Sequence, residues 1–529
     1  MKAPAHRTLH LALTLLACSL LAFAQTAPAP PAANAPAINT GPATRDANGV
    51  LTIRRTARLV ILDVVVTDAK GNVVTGLTKK DFRVTESDQP QNILNFEAAG
   101  AHANDITAPI NSTADLDRVA PRTPVNILLL DEFNTRFEDM AFARYSLKKL
   151  LERQPDTLAT PTMLIAVNLQ SLSVLVDYTQ NKAALITALD HHLVAFPWQV
   201  HQGGWLAERY GVAFNTLMRV SQAVIGHQGH KNMIWIGRGF PPLNFSNVAL
   251  DTANRVDNAV QECVNALRDA RVTLYTVDPA GLTASPGGGY GSDAAFDDPF
   301  GGNYQFSKLG VATGGKTFYG RNDVDVEIGT GVRDGASFYT LTYRPDNNVA
   351  DPQKFRRIRI ALNQPNLKAT TREGYYIQRG PARVDAKNPS RRLTSELLSA
   401  EGSNMAYDGV PITLVASPDN PDQFTVHVDA GGLVWSPVTD TVPKRYTDVI
   451  IMATSFDKKG KGLQRISREI HAAATEDVPP TGPLKRSLDL KLTLDHDPKA
   501  VRARFVVRVT ANGRIGTADA NLTQAAAAK

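Results

Sequence analysis

Apolar and polar positions follow three successive patterns along the chain. Between Leu59 and Phe96, short alternating runs are broken by turn residues. Leu59–Thr67 leads into Asp68-Ala69-Lys70-Gly71-Asn72, Val73-Val74 begins the return, and Phe82–Glu86 and Ile93–Phe96 continue it. A period of two, with a Lys-Gly-Asn turn supplying positive φ, predicts β-hairpins. From Pro124 the apolar runs become continuous, at Val125–Leu130, Met163–Val167, Leu172–Val176, Met233–Ile236 and Val272–Val277. Such runs suit strands buried on both faces. Helical spacings separate them at Phe137–Arg153, Lys182–Leu193, Leu206–Gly226 and Val256–Ala270, and a short helix around Phe306–Thr313 precedes Thr317–Tyr319. This alternation predicts an α/β fold with a doubly wound, mostly parallel sheet. After Asp334 the strand pattern returns in Ser337–Tyr343, Arg356–Leu362 and Thr370–Tyr376. These should pair with the early hairpins, which otherwise lack partners.

The tail has alternating strands at Phe424–Val428, Thr447–Thr454, Leu488–Leu492 and Phe505–Val509, and no long helix after the Ser395–Glu401 turn. That favours a C-terminal β-sandwich. The expected organisation is therefore a signal peptide (1–24), an Ala/Pro-rich linker (25–50), an N-terminal hairpin region (51–100) and a central α/β domain (120–335). Flanking strands (336–378), a second linker (379–394), the sandwich (395–523) and a tail (524–529) follow. The polar, Pro-punctuated stretch Ala101–Arg122 reads as a linker.

Lys2, His6 and Arg7 precede the apolar run Leu9–Phe23, and Ala22-Phe23-Ala24 supplies a small-x-small cleavage pattern. This predicts export to the periplasm or the exterior. A membrane anchor would need about 20 apolar residues. Leu15-Leu16-Ala17-Cys18 loosely matches a lipobox, but apolar Ser19–Ala24 stands where a lipoprotein has a polar tether. Of the two cysteines, Cys18 and Cys263, only Cys263 would survive cleavage, so it reads as a buried thiol in a helix. The net charge of +6 over 529 residues is small, and no basic stripe with interleaved aromatics points to nucleic acid.

Gly310-Val311-Ala312-Thr313-Gly314-Gly315-Lys316-Thr317 fits the P-loop pattern. A phosphate cradle, however, must follow a strand and open a helix, and here helix precedes strand. His227-x-x-His230 and His191-His192 lack the carboxylate or thiolate of a zinc set; His227 and His230 read as caps of a helix-to-strand turn. The loop Thr283–Asn303, with Asp293, Asp297 and Asp298, offers oxygen ligands for Ca²⁺ but is dominated by glycine.

Leu62–Gly76 with Asp81-Phe82, Leu128–Thr135, Ile234–Pro241, Tyr275–Leu282, Thr313–Phe318 and Tyr339–Pro345 together resemble VWFA-related domain proteins of the acidobacterial type. The resemblance spans Arg55–Tyr376, and Arg504–Ala518 resembles the closing strand pair of such chains. It implies a von Willebrand factor A-like domain, whose metal-ion-dependent adhesion site places oxygen ligands beyond the strand ends. Asp131 matches the first ligand and Thr135 can replace a serine. Phe133 stands where the first Ser should be, however, and Gly237-Arg238 occupies the region of the usual Asp-Gly. The expectation is a degenerate site without a cofactor, with Mg²⁺ or Ca²⁺ on Asp131 and Thr135 as the alternative, and with Arg238 replacing the metal as counter-charge of Asp131. The expected ligand-binding set is Asp131, Asn134, Thr135, Arg238 and Asp278. The expected role is non-enzymatic recognition of a protein or cell-envelope ligand. A hydrolase using Asp131 with His201, or a structural envelope scaffold, is the alternative.

Overall fold

The computed structural model describes residues 43–45, 51–53, 59–101, 106, 108–169, 171–194, 205–240, 243–244, 250–281, 303–345, 355–377, 389–420, 422–437, 445–474, 487–495 and 497–522. The signal-peptide and lipobox expectations, His201 and most of Thr283–Asn303 lie outside them. The chain divides into residues 1–57 and 58–529. In the first unit Ala43–Arg45 pairs antiparallel with Leu51–Ile53, so part of the expected spacer is strand.

In the second unit, β1 (Val60–Thr67), β2 (Phe82–Glu86), β3 (Gln89–Gln91) and β4 (Ile93–Glu97) come first, followed by α1 (Thr113–Val119). The central region then runs β5 (Val125–Asp131), α2 (Phe137–Glu152), β6 (Thr157–Val167), β7 (Leu172–Asn181), α3 (Lys182–His191), α4 (Trp205–Ala223) and β8 (Lys231–Ile236). It continues through α5 (Leu250–Asp269), β9 (Val272–Val277), α6 (Phe306–Ala312), β10 (Thr317–Phe318) and α7 (Val324–Asp334). The flanking strands are β11 (Tyr339–Tyr343), β12 (Phe355–Leu362), β13 (Lys368–Thr370) and β14 (Gly374–Tyr376). The fold is mixed α/β: one six-stranded, mostly parallel sheet and several antiparallel ones.

The six-stranded sheet has the order β10-β9-β8-β5-β6-β7, parallel except for β7. Strand side chains alternate between two cores. Ile127, Leu129, Met233, Trp235 and Leu274 join α4, α5 and α6, whereas Leu128, Leu130, Ile234, Ile236 and Val277 join α2, α3 and α7. Burial on both faces explains why β5, β8 and β9 read as unbroken apolar runs. Strand order grows outward from β5 in both directions, so the switch point lies between β5 and β8, where open α/β sheets place their ligands.

The flanking strands supply the missing partners of the hairpins. β11 pairs with β1 and β4, β12 with β2, and β13 with β1, all antiparallel. They enclose a core containing Leu62, Val64, Phe82, Tyr339 and Leu341. Two expected linkers contain helices. Within Ala101–Arg122, Ser112 Oγ accepts the Asp115 amide at 3.1 Å and caps α1, which buries Leu116. In the second linker, Pro389 opens α8 (Pro389–Gly402), a position where its missing N–H costs nothing. The tail then forms two antiparallel sheets around one core, with the Phe424 and Phe505 rings 5.1 Å apart.

The hairpin sheet is tied to the central sheet through Asp63 of β1. Its carboxylate accepts from Arg271 Nη2 at 2.6 Å, His230 Nδ1 at 2.9 Å and Thr340 Oγ1 at 3.0 Å. Arg271 and His230 immediately precede β9 and β8. Burial alone would raise the Asp63 carboxyl, but Arg271 and His230 outweigh it and hold the group well below the usual carboxylate range. A depressed folded pKa contributes stability that is present above the unfolded value and lost as pH falls through the folded one. We expect Asp63→Asn to lower stability by about 3 kcal/mol at neutral pH, because it leaves a buried Arg without its counter-charge. In urea unfolding, the gap to wild type should shrink below about pH 4. A gap constant with pH would rule out the ion pair as its source.

Candidate functional site

The switch-point edge is built on the last residue of β5. Asp131 is fully buried, and its carboxylate accepts three N–H bonds. Oδ1 takes the Asn134 amide at 2.9 Å; Oδ2 takes Trp235 Nε1 and the Gly239 amide, each at 3.0 Å. The first of these closes an Asx turn at the strand end. The second satisfies an indole N–H that β8 would otherwise bury unpaired. The third folds the segment after β8 back over the carboxylate.

That folding needs glycine. Gly237 has φ +146°, and a Cβ there would lie 2.5 Å from both Asp131 Cβ and Thr135 Oγ1; Gly239 has φ +60° and faces the Phe306 ring. Side chains rarely adopt this backbone region, so Gly237-Arg238-Gly239 wraps the end of β5. Burial raises the Asp131 carboxyl to about 6, against the N–H donors of Asn134, Trp235 and Gly239 and the charge of Arg209.

The expected residues separate into two layers. Asp131, Asn134 and Thr135 are buried, whereas Arg238 and Asp278 are partly exposed. The expected Asp131–Arg238 pair does not form: Arg238 Nη2 faces Asp139 at 3.8 Å and its Nε faces Asp278 at 3.4 Å. The main chain explains this, since the Arg238 amide is pinned to Thr135 Oγ1 at 3.2 Å and its side chain leaves the edge outward. The cation beside Asp131 is Arg209 of α4, whose Nε donates to Asn134 Oδ1 at 2.7 Å.

The residues do not fit Mg²⁺ or Ca²⁺. A hard cation needs several oxygen lone pairs facing it, whereas N–H bonds take three of the four lone-pair sites of the Asp131 carboxylate, and Thr135 Oγ1 accepts the Arg238 amide. Phe133, in the place of a ligand serine, is buried. Among the described residues no group of three or more His, Cys, Asp or Glu side chains is placed to hold a metal.

Several participants escaped the sequence reading: Trp235, Arg209, Asp139 and the Glu132–His192 pair. The last two residues meet at 2.7 Å between Oε1 and Nε2, with Glu132 fully buried. The indole inside a continuous apolar run was the available signal, because a buried Trp N–H requires an acceptor. His227 and His230 do serve structure: His227 Nε2 meets the Thr123 carbonyl at 2.8 Å, and His230 meets Asp63. Cys263 is buried, and burial raises its thiol.

No protein-family model matches the chain, and no curated protein does. Among solved structures it is similar to the one titled "Crystal Structure of the SpRpn10 VWA domain", at 14% identity and a TM-score of 0.17, over 31% of this chain and 90% of that one. This is a faint likeness to a VWA domain and says nothing about the site.

A folded pKa raised above the unfolded one gives stability that is fully present below the unfolded value and lost as pH rises through the folded value. For Asp131 that window runs from about pH 4 to about pH 6. The stability advantage of wild type over Asp131→Asn should therefore narrow by up to about 3 kcal/mol between pH 4 and pH 7. Urea unfolding across that range measures it, and a widening gap would show that Asp131 does not titrate as its burial requires.

Proposed function

We propose that the chain is an exported, non-enzymatic recognition protein with a von Willebrand factor A-like centre, which meets a protein or cell-envelope ligand at the β5/β8 switch-point edge. Export rests on the charged, apolar and small-residue pattern of the first 24 residues. The A-like reading rests on the motif blocks and on the strand order β10-β9-β8-β5-β6-β7.

One observation carries recognition over chemistry: the edge carboxylate is sealed. Asp131 has no exposed surface and its oxygens accept three N–H bonds, so it serves as an internal brace rather than a base. What the edge presents outward is Arg238 between Asp139 and Asp278, with Phe137 exposed at the start of α2. An arginine and an aromatic on a rigid rim are the side chains that anchor protein interfaces. Metal-dependent adhesion is not favoured, because N–H donors already take most of the lone pairs that would hold the ion. For hydrolysis, the Glu132–His192 pair is the best acid/base candidate, but among the described residues no hydroxyl or thiol is bonded to His192.

Two measurements test this reading. Melting in chelator and then in millimolar Mg²⁺, Ca²⁺ or Mn²⁺ should give Tm values within about one degree of each other, since only a ligand of the native state raises stability. A rise of several degrees, abolished by Asp131→Ala, would restore a metal site. Arg238→Gln, which adds no third carboxylate beside Asp139 and Asp278, should lower the melt by at most a few degrees yet remove cell-envelope proteins retained by the immobilised wild-type chain. Retention of the same proteins by both would move recognition away from this edge.

A further inference from the structure

A second surface carries its own argument, on the side of the molecule where β10 edges the central sheet. A groove of about 880 Å³ runs between α6 and β10 on one side and β12 and β13 on the other. Its floor is fixed by the main chain: the Glu373 amide donates to the Ala312 carbonyl at 3.1 Å, and the Ile358 amide to the Glu373 carbonyl at 2.7 Å. The P-loop-like segment lies along it, without phosphate-binding geometry. The Gly314 and Gly315 amides are spent on Val311 and Gly310 carbonyls. A Cβ on Gly315 would meet the Leu274 carbonyl oxygen at 2.0 Å, so the glycine serves close packing.

Both walls are strand edges with open backbone groups. β10 pairs on one side with β9, and its Lys316 and Phe318 carbonyls accept from Thr276 and Asp278. Alternation along a strand then directs the N–H and C=O of Thr317 away from β9. β13 pairs on one side with β1, placing Ala369 opposite Val66. The Val66 carbonyl is taken by the Val74 amide at 2.8 Å, so the backbone groups of Ala369 likewise point away from β1. Thr317 and Ala369 both line the groove. Among the described residues their outward backbone groups have no partner.

The side chains say what would fit. Val311 and Tyr319 are each 44% exposed and line the groove with Phe318 and Ile360. Four cations line it against one carboxylate, Glu373. Lys316 is held by Asp334 at 2.5 Å and Arg359 by Asp88; Lys308 and Lys368 make no ion pair among the described residues.

We infer that this groove binds an extended acidic peptide segment of a partner protein by β-strand addition. The segment's main chain would bond Thr317, Ala369 or both. Alternate apolar side chains would face Val311 and Tyr319, and acidic ones would face Lys308 and Lys368. Main-chain bonds give such recognition its affinity, and alternating side chains give it specificity.

The probe is a short fluorescein-labelled peptide of alternating valine and glutamate, titrated with the full chain and read by anisotropy. A Kd of tens of micromolar is expected. Replacing glutamate by lysine, or N-methylating alternate peptide nitrogens, should each weaken binding about tenfold, a loss of about 1.4 kcal/mol. Lys308→Glu with Lys368→Glu should weaken it as much while the melt stays at the wild-type temperature, and Arg238→Glu should leave it unchanged. Equal binding of the N-methylated peptide would overturn strand addition, and equal binding of the lysine peptide would overturn the acidic partner. No binding at millimolar peptide would leave the lysines as guards of a bare edge. Self-association of the chain without peptide binding would assign the groove to a second copy, and either result overturns the inference.

Discussion

The arrangement of the second unit depends on placing a charge where water cannot reach it. Asp63 sits on a strand of one sheet and is neutralised by side chains that begin two strands of another. A buried carboxylate is tolerated only when opposite charge and hydrogen bonds replace its hydration. The contact is therefore directional: the sheets can meet only where Arg271, His230 and Thr340 converge. Apolar packing could accept many orientations, but this junction accepts few. The Phe338 ring, 4.7 Å from His230, adds apolar cover beside it.

A second buried carboxyl ties down the C-terminal region through main-chain amides, although burial raises it to about 7. Asp408 accepts the Gly226 amide at 2.6 Å and the His227 amide at 3.0 Å, capping the turn between α4 and β8. Position 226 must be small, since a Cβ there would overlap the Asp408 carbonyl oxygen. Farther on, Arg504 is wholly buried and donates to the Ser403 and Met405 carbonyls, fixing the end of α8 to the larger terminal sheet. Both junctions, Asp63 and Asp408, lie at the amino ends of the central strands. At the carboxyl ends, Arg238 stays partly exposed.

The central sheet was legible because burial on both faces writes itself as continuous apolar runs, and the hairpins because one-faced burial writes itself as alternation. Asp63 shows where this legibility stops. In Leu59–Thr67 it is the lone charge on the face it shares with Leu59, Ile61 and Val65, and a charge within a strand reads as solvent-facing. Asp63 is covered by tertiary contact, and its partners lie more than a hundred residues away in sequence. Helices α1 and α8 were missed for a related reason. Each is held by a few long-range apolar contacts, such as Leu116 and Leu397, rather than by a long periodic face. At the candidate site, sequence located the edge and its buried residues but misassigned the cation. A residue type at a strand end fixes where the backbone goes, not where a flexible guanidinium points. Arg238 turns outward because its amide is tied to Thr135, and Arg209 reaches in from a helix whose pattern marked only its apolar face.

Sealing Asp131 also fixes what the edge can do. A carboxylate open to solvent could change partner, bind a cation or take a proton without disturbing its surroundings. Here its three N–H donors come from the loop after β5, from the core of β8 and from the segment beyond β8. Moving the carboxylate would disturb two neighbouring strand ends and an indole in the main apolar core. The geometry of this strand end is therefore held by the protein's own N–H groups. Because those donors lock the ends of β5 and β8 together, the backbone from which Arg238 reaches Asp139 and Asp278 is fixed as well.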